Sequence, residues 1–240
     1  MKICIAQTEP IKGNVSANIE AHIRLIELAL KHHSESIFFP ELSLTGYEPE
    51  LANQIAIHQE DKQLDIFQQI CDQNNIIIGL GMPTRYESQI RISMIIFKPN
   101  KPRHIYSKQQ LHSDEYPYFE KGNEQVIIKT NSMQIAPAIC YESLQPSHVE
   151  NAHKLGANIY LASVAKSAKG VEKAFDYYPR IAKQYKMPVL MANCVGLCDN
   201  FLSVGKSAVW TNEGKLIGQL DDKTEGILIF DTETETVIAI

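Results

Sequence analysis

Short apolar runs that break off sharply at a polar residue recur along this chain, and segments of helical period separate several of them. Val15, Ile19, Ile23, Ile26 and Leu30 mark a first helix, with Asn14 or Ser16 available as its cap. Strands are expected at Lys2 to Gln7 and at Ser36 to Phe39, and a second amphipathic helix carries Leu64, Phe67, Ile70 and Cys71. Ile76 to Gly81 reads as a buried strand. Gly79 and Gly81 do not form a phosphate loop, because no helix with the required glycine pattern follows. Arg91 to Lys98 and His104 to Lys108, joined by a proline-rich turn, and Val126 to Lys129 with Met133 to Ile139, add paired strands, so a mixed sheet is expected. Then come a helix from Ser147 to Leu155 stopped by Gly156, a strand from Asn158 to Ala162, a helix from about Val171 to Tyr185, a strand from Pro188 to Ala192 and terminal strands. This order implies helices covering the outside of packed sheets. No linker divides the chain, and residues 1–240 are expected to form a single domain.

Bulk properties exclude several function classes. A hydrophobic content of 44% with 21% charged residues suits a globular core. The net charge of -5 argues against a phosphate-backbone binder, so no nucleic acid partner is expected. No apolar run reaches the roughly 20 residues that span a bilayer, and the N-terminus enters a strand without a signal-peptide pattern. No membrane association and a cytoplasmic location are therefore expected. Cys4, Cys71, Cys140, Cys194 and Cys198 are odd in number and scattered, which does not make a disulfide framework. Cys194 and Cys198 lack a partner pair for structural zinc. Neither a metal nor a cofactor is expected.

Three of the apolar runs end in reactive groups. Ile37-Phe38-Phe39-Pro40-Glu41 delivers a carboxylate, Ile105-Tyr106-Ser107-Lys108 an ammonium, and Ile135-Ala136-Pro137-Ala138-Ile139-Cys140 a thiol. Taken singly, a cysteine beside a strand is more often a small core hydrophobe, and a lone glutamate or lysine is usually on the surface. In this order and strand context the three segments resemble the nitrilase superfamily, the carbon-nitrogen hydrolases. The resemblance runs from the opening strand to Gly226-Ile227-Leu228-Ile229-Phe230-Asp231. It implies an α/β fold, a four-layer αββα sandwich of two mixed β-sheets flanked by helices, and homo-oligomers, dimers above all. It departs from the family at Glu142, where an aspartate is frequent, and after Arg180, where a glutamate often follows.

Carried over by motif, Glu41 is the general base, Lys108 the oxyanion stabiliser and Cys140 the nucleophile. Glu115 resembles the family's second glutamate, with Glu120 in the same loop as the alternative. The backbone N–H of Tyr141 is the companion oxyanion donor. Tyr47, Tyr116, Phe119, Tyr177 and Tyr178 are expected in or near loops that border the thiol, as an apolar or aromatic rim in which Tyr47, Tyr116 and Tyr177 are the substrate-binding candidates. Lys166, just past a strand that should end near Cys140, is placed within reach of substrate, and Arg180 as a receiver of a substrate carboxylate, with a structural ion pair as its competing role. The implied reaction is hydrolysis of a small linear amide or N-carbamoyl compound through a cysteine thioester. The alternatives are acyl transfer, ammonia supply to a partner, or a non-catalytic binding protein that retains the fold.

Overall fold

In the computed structural model, which describes residues 1–240, strand β1 (Lys2–Gln7) sends Ile3 and Ile5 to one side and Cys4 and Ala6 to the other. That is the two-residue period of a strand buried on both faces. Helix α1 (Val15–Lys31) covers one of them with Leu25, Ile26 and Ala29. Its cap is Asn14, whose side chain accepts the Ala17 N–H at 3.2 Å. Next come β2 (Ser36–Phe38), the single-turn α2 (Ala52–Ile55), α3 (Asp65–Asn74), β3 (Ile77–Tyr86), β4 (Gln89–Phe97) and β5 (His104–Ser107). The second half supplies β6 (Ile128–Lys129), β7 (Gln134–Ile139), α4 (Pro146–Lys154), β8 (Ile159–Val164), α5 (Ala168–Tyr185) and β9 (Val189–Asn193). A hairpin of β10 (Val195–Cys198) and β11 (Phe201–Val204) precedes β12 (Ala208–Trp210), β13 (Leu216–Gln219), β14 (Gly226–Asp231) and β15 (Thr236–Ala239).

Two mixed sheets result. The first runs β15-β14-β1-β2-β3-β4-β5 and the second β13-β12-β9-β8-β7-β6. Their facing sides share one apolar cluster, with Ile3, Phe38 and Met94 from the first sheet and Ile135, Leu161 and Leu190 from the second. The outer faces carry α1 and α3 on the first sheet and α4 and α5 on the second. The expected four-layer αββα sandwich is therefore the observed one. None of the helices is long and apolar enough to cross a membrane.

Two expectations about elements need correction. The strand after α3 does not stop at Gly81 but continues through Pro83 to Tyr86 and turns directly into β4. Proline removes a ladder donor and is disfavoured inside a sheet. Here β2 pairs with β3 only as far as Gly79, so Pro83 lies beyond the end of that ladder, where its carbonyl accepts the Ile57 N–H. The β10–β11 hairpin was not anticipated either. Its turn centres on Asp199 at φ +45, and its strands carry Leu197 and Leu202 outward, without the alternation of a half-buried ribbon.

Candidate active site

Glu41 sits on a loop that must pass hard against β3. A Cβ on Gly81 would lie 2.3 Å from the Leu42 nitrogen and 2.4 Å from the Pro40 oxygen. Only glycine leaves the loop that path, which is the structural use of this residue. Leu42 turns the chain at φ +50, and the Leu44 N–H bonds the Gly81 carbonyl at 3.0 Å. Beneath the loop, buried His22 stacks on Phe39 with ring centroids 4.1 Å apart. Its Nε2 meets the Ser43 hydroxyl at 2.9 Å and its Nδ1 the Asn18 carbonyl at 2.6 Å. Burial lowers its pKa to about 4, so the ring is neutral, and the network assigns the proton to Nδ1.

Lys108 follows β5 and is pinned through its backbone: its N–H donates to Ile92 and its carbonyl accepts the Gly122 N–H at 2.7 Å. Its side chain is fully buried, with Nζ 2.7 Å from Glu41 Oε1 and 2.6 Å from Glu115 Oε1. Glu115 is held in turn by the Tyr47 hydroxyl at 2.9 Å and by the His112 N–H at 2.8 Å. Glu115, rather than Glu120, is thus the loop acid brought to the lysine. Glu120 instead borders a surface depression with Tyr116 and Tyr118.

Cys140 ends β7 and has φ +45, a left-handed conformation that a non-glycine residue adopts at a cost of order 1 kcal/mol or more. The turn is locked from below. Ser143 donates its hydroxyl proton to the Cys140 carbonyl at 2.5 Å and accepts from Tyr178 at 2.6 Å. Glu142, fully buried, accepts from the Ile139 N–H and Tyr106 hydroxyl on one oxygen and from the Gln109 and Gln110 N–H groups on the other. It joins the Cys140 turn to the segment after Lys108, a connection that the sequence showed only as a departure from the family's aspartate. Tyr106 also meets buried His148, which bonds Tyr160 in turn.

Electrostatics define what these groups can do. Burial alone would lower the Lys108 pKa, but Glu41 and Glu115 outweigh it and hold it above the ordinary lysine range. Burial raises the Glu41 pKa, with Glu115 adding to the rise and Lys108 opposing it. Cys140 is pushed up to about 11 by burial and by Glu41, so the resting group is a thiol. Its Sγ contacts the Ala165 carbonyl at 3.6 Å. Glu41 Oε1 is taken by Lys108, whereas Oε2 is buried with no hydrogen-bond partner. The thiol is close enough to Glu41 that each shifts the other's ionisation. An unpaired acceptor beside a neutral thiol is the arrangement a proton transfer needs.

The remaining sequence candidates fall in different places. Tyr141 opens the 3₁₀ turn Cys140–Leu144, where N–H groups have no intrahelical partner, and its exposed ring packs edge-on against His112. Tyr47 is buried, its hydroxyl committed to Glu115. Lys166 is buried directly after Ala165. Tyr177 is half-buried with an unpartnered hydroxyl, and burial raises its pKa to about 12. Its neighbour Tyr178 is the one that reaches the Cys140 turn, through Ser143. Tyr116 is 64% exposed, and Arg180 is bound to Asp176 on the outer face of α5. That surface ion pair, not a substrate contact, is the arrangement the structure shows for Arg180. The larger surface cavities lie away from the thiol: one of about 630 Å³ is bordered by His58, Arg91 and His104, and one of about 920 Å³ by Glu9, Lys12 and Leu197.

The family profile described as carbon-nitrogen hydrolase matches residues 2–240. The chain belongs to this family. Among curated relatives it is 28% identical to a glutamine-dependent NAD(+) synthetase of Aquifex aeolicus over 95% of this chain and 41% of that protein. It is 24% identical to a probable nitrilase of Schizosaccharomyces pombe over 97% of this chain and 89% of that one. The chain thus spans about two fifths of the length of the synthetases it matches. Among solved structures, an amidase from Nesterenkonia sp. AN1 in complex with butyramide superimposes with a TM-score of 0.88 at 20% identity, covering 98% of this chain and 92% of that one. Another structure of that amidase shows acrylamide added to its active-site cysteine.

Proposed function

We propose that this carbon-nitrogen hydrolase cleaves small linear amides through a thioester on Cys140, with residues 1–240 acting as one catalytic unit. The observation that carries the reading is the buried, partnerless Oε2 of Glu41 beside a neutral thiol, with Glu41 Oε1 fixed by Lys108. Glu41 takes the thiol proton as sulfur attacks the carbonyl carbon. Lys108 Nζ and the Tyr141 N–H then receive the oxygen that becomes negative; losing one such donor costs roughly a hundred- to a thousand-fold in rate. Glu41 returns the proton to the departing ammonia and afterwards activates the water that opens the thioester. Glu115, fixed by Tyr47, keeps Lys108 aimed. The five free thiols suit a reducing, cytoplasmic setting.

A second reading, in which the ammonia passes to a partner enzyme, draws on the similarity to glutamine-dependent synthetases over 95% of this chain. The test is to assay the purified protein on butyramide, acrylamide and glutamine and to compare Cys140→Ala, which keeps the fold and removes the nucleophile. Loss of turnover at an unchanged melting temperature, with an acyl adduct on Cys140 seen by mass in the wild type, is expected. Turnover that survives in Cys140→Ala would end the assignment. A rise in glutaminase rate on adding an ammonia-consuming enzyme separates the second reading from the first.

A further inference from the structure

Away from the thiol, one buried cation stands without a counter-charge. Arg91 of β4 is 9% exposed, its Nε is buried with no acceptor, and no carboxylate or carbonyl meets the rest of its guanidinium. The neighbouring arginines are satisfied. Arg85 donates to the carbonyls of Asn53 and Ala56, and Arg103 to those of Gln59 and Asp61 and to the Asp65 carboxylate. What Arg91 has is the ring of Tyr86, with Cζ 3.5 Å from the ring centroid. That stacking covers one face of the guanidinium and satisfies none of its five N–H donors. The backbone on either side is fixed, because the Ile90 carbonyl accepts the Glu120 N–H at 2.8 Å and the Ile92 carbonyl the Lys108 N–H at 2.9 Å.

Ile90 and Ile92 point between the sheets, so Arg91 points to the outer face of the first sheet. There it borders the cavity of about 630 Å³, a volume that suits a small molecule. Its Nη groups are the donors left accessible to that space. Thr84 and Ser107, linked through the Ser93 hydroxyl by contacts of 2.7 and 2.9 Å, add polar lining. Glu60, Glu87 and Glu124 border the same cavity, exposed and free of ion pairs. Both signs of charge therefore face one space without neutralising each other. We propose that this cavity is a second ligand site, separate from the thiol, for a small zwitterion of the α-amino-acid class, its carboxylate on Arg91 and its ammonium toward the acids. A planar guanidinium fits a carboxylate with two parallel hydrogen bonds. The acids repel phosphate and other multiply charged anions, which gives the site its selectivity. The proposal stands whether or not the thiol hydrolyses amides.

The experiment measures binding to the full chain by thermal shift and calorimetry. The probes are the common amino acids other than asparagine and glutamine, which are themselves amides; acetate, methylamine and inorganic phosphate are the controls. At least one amino acid is expected to raise the melting temperature and to bind about tenfold or more tightly than any control, since each control leaves one sign of charge unmet. Alkylating Cys140 with iodoacetamide should leave this affinity unchanged. In Arg91→Met, which keeps an apolar stem on Tyr86 without charge, affinity is expected to fall by about 30-fold or more, as for a desolvated charge that loses its partner. Arg91→Lys keeps the charge and removes the fork, and a loss of about tenfold is expected there; it carries the test should the methionine variant not fold. Combining Glu60→Gln, Glu87→Gln and Glu124→Gln, all at exposed positions, should shrink the preference for the amino acid over acetate by about fivefold or more. Absence of binding by every amino acid, full affinity in both Arg91 variants, or loss of binding on alkylation of Cys140 would overturn the proposal. So would phosphate binding more tightly than every amino acid, or an undiminished preference over acetate once the three acids are replaced.

Discussion

The two oxygens of Glu41 have different fates, and the chemistry follows from that division. Oε1 is fixed by Lys108 and Oε2 is buried without a partner, a condition that ordinarily destabilises a fold by about 1–3 kcal/mol. At a reaction centre the same vacancy is a proton acceptor held in readiness. Replacing the carboxylate with an amide separates its two effects on Cys140. As the base of the proposed mechanism it takes the thiol proton, so Glu41→Gln is expected to lose roughly a hundred- to ten-thousand-fold in kcat. As a charge it raises the thiol pKa, which burial and Glu41 together push to about 11, against the opposing pull of Lys166 and Lys108. With the carboxylate gone the two cations act unopposed, and the thiol pKa should fall. The measurement is the pH profile of Cys140 alkylation by iodoacetamide, read by mass. A midpoint below 11 in the variant is expected, and a profile that stays put or moves upward would contradict the electrostatic account.

At the scale of elements, buried histidines fasten the segments that carry the proposed catalytic groups. His22 on α1 supports the Glu41 loop through Ser43, and His148 on α4 joins Tyr106 of β5 to Tyr160 of β8. Burial lowers both from the ordinary 6.5 to about 4. Between those values the unfolded chain binds more protons than the folded one. Their stabilisation is therefore complete above about pH 6.5 and is lost as the pH falls toward 4, by about 3 kcal/mol for each ring. Glu142 works in the opposite sense: burial raises it to about 7 despite its hydrogen bonds, so its contribution grows as the pH falls through the same range. Two rings outweigh one carboxyl. In His22→Gln one share is removed, and the drop in urea midpoint between pH 7 and pH 4 should be shallower than in the wild type; an equal drop would show that His22 does not titrate on unfolding. The helices and the long apolar strands were legible because their burial follows a fixed period, and the proposed catalytic residues stood out because each stands where such a run ends. The network beneath them was not legible. Nothing local in the sequence tells that Glu142 reaches back to Ile139 and across to Gln109, that Tyr47 holds Glu115, or that Tyr178 rather than Tyr177 meets Ser143, since each contact depends on how distant elements pack. Gly81 was legible as a glycine without a phosphate loop, yet its purpose appears only when the Glu41 loop is seen lying across it.

At the scale of the whole molecule, the proposed reaction centre is divided between the two sheets. Glu41 follows β2 and Lys108 follows β5, both in the first sheet, whereas Cys140 follows β7 and Lys166 follows β8 in the second. Their alignment is only as good as the registration of one sheet on the other. Apolar packing between the sheets is strong but non-directional. Direction comes from a few polar contacts. Gln7 of β1 accepts the Ser207 N–H and donates to the carbonyls of Asp221 and Thr224. Nearer the site, Ser163 of β8 donates its hydroxyl to the Phe39 carbonyl at 2.7 Å, with both groups buried. Phe39 is followed by Pro40 and Glu41, and Ser163 is closely followed by Ala165, which touches the thiol, so this bond fixes base to nucleophile across the gap. Ser163→Ala leaves the Phe39 carbonyl buried and unpaired, a loss of about 1–3 kcal/mol. Its effect on rate should be larger than that suggests, because a displacement of about 1 Å between reacting groups costs on the order of a hundredfold. The expected result is a folded protein with a modestly lower urea midpoint, a kcat reduced by tenfold or more, and little change in KM. A variant that loses the same stability yet keeps full kcat would show that apolar packing alone registers the sheets, and that the hydroxyl serves only the fold.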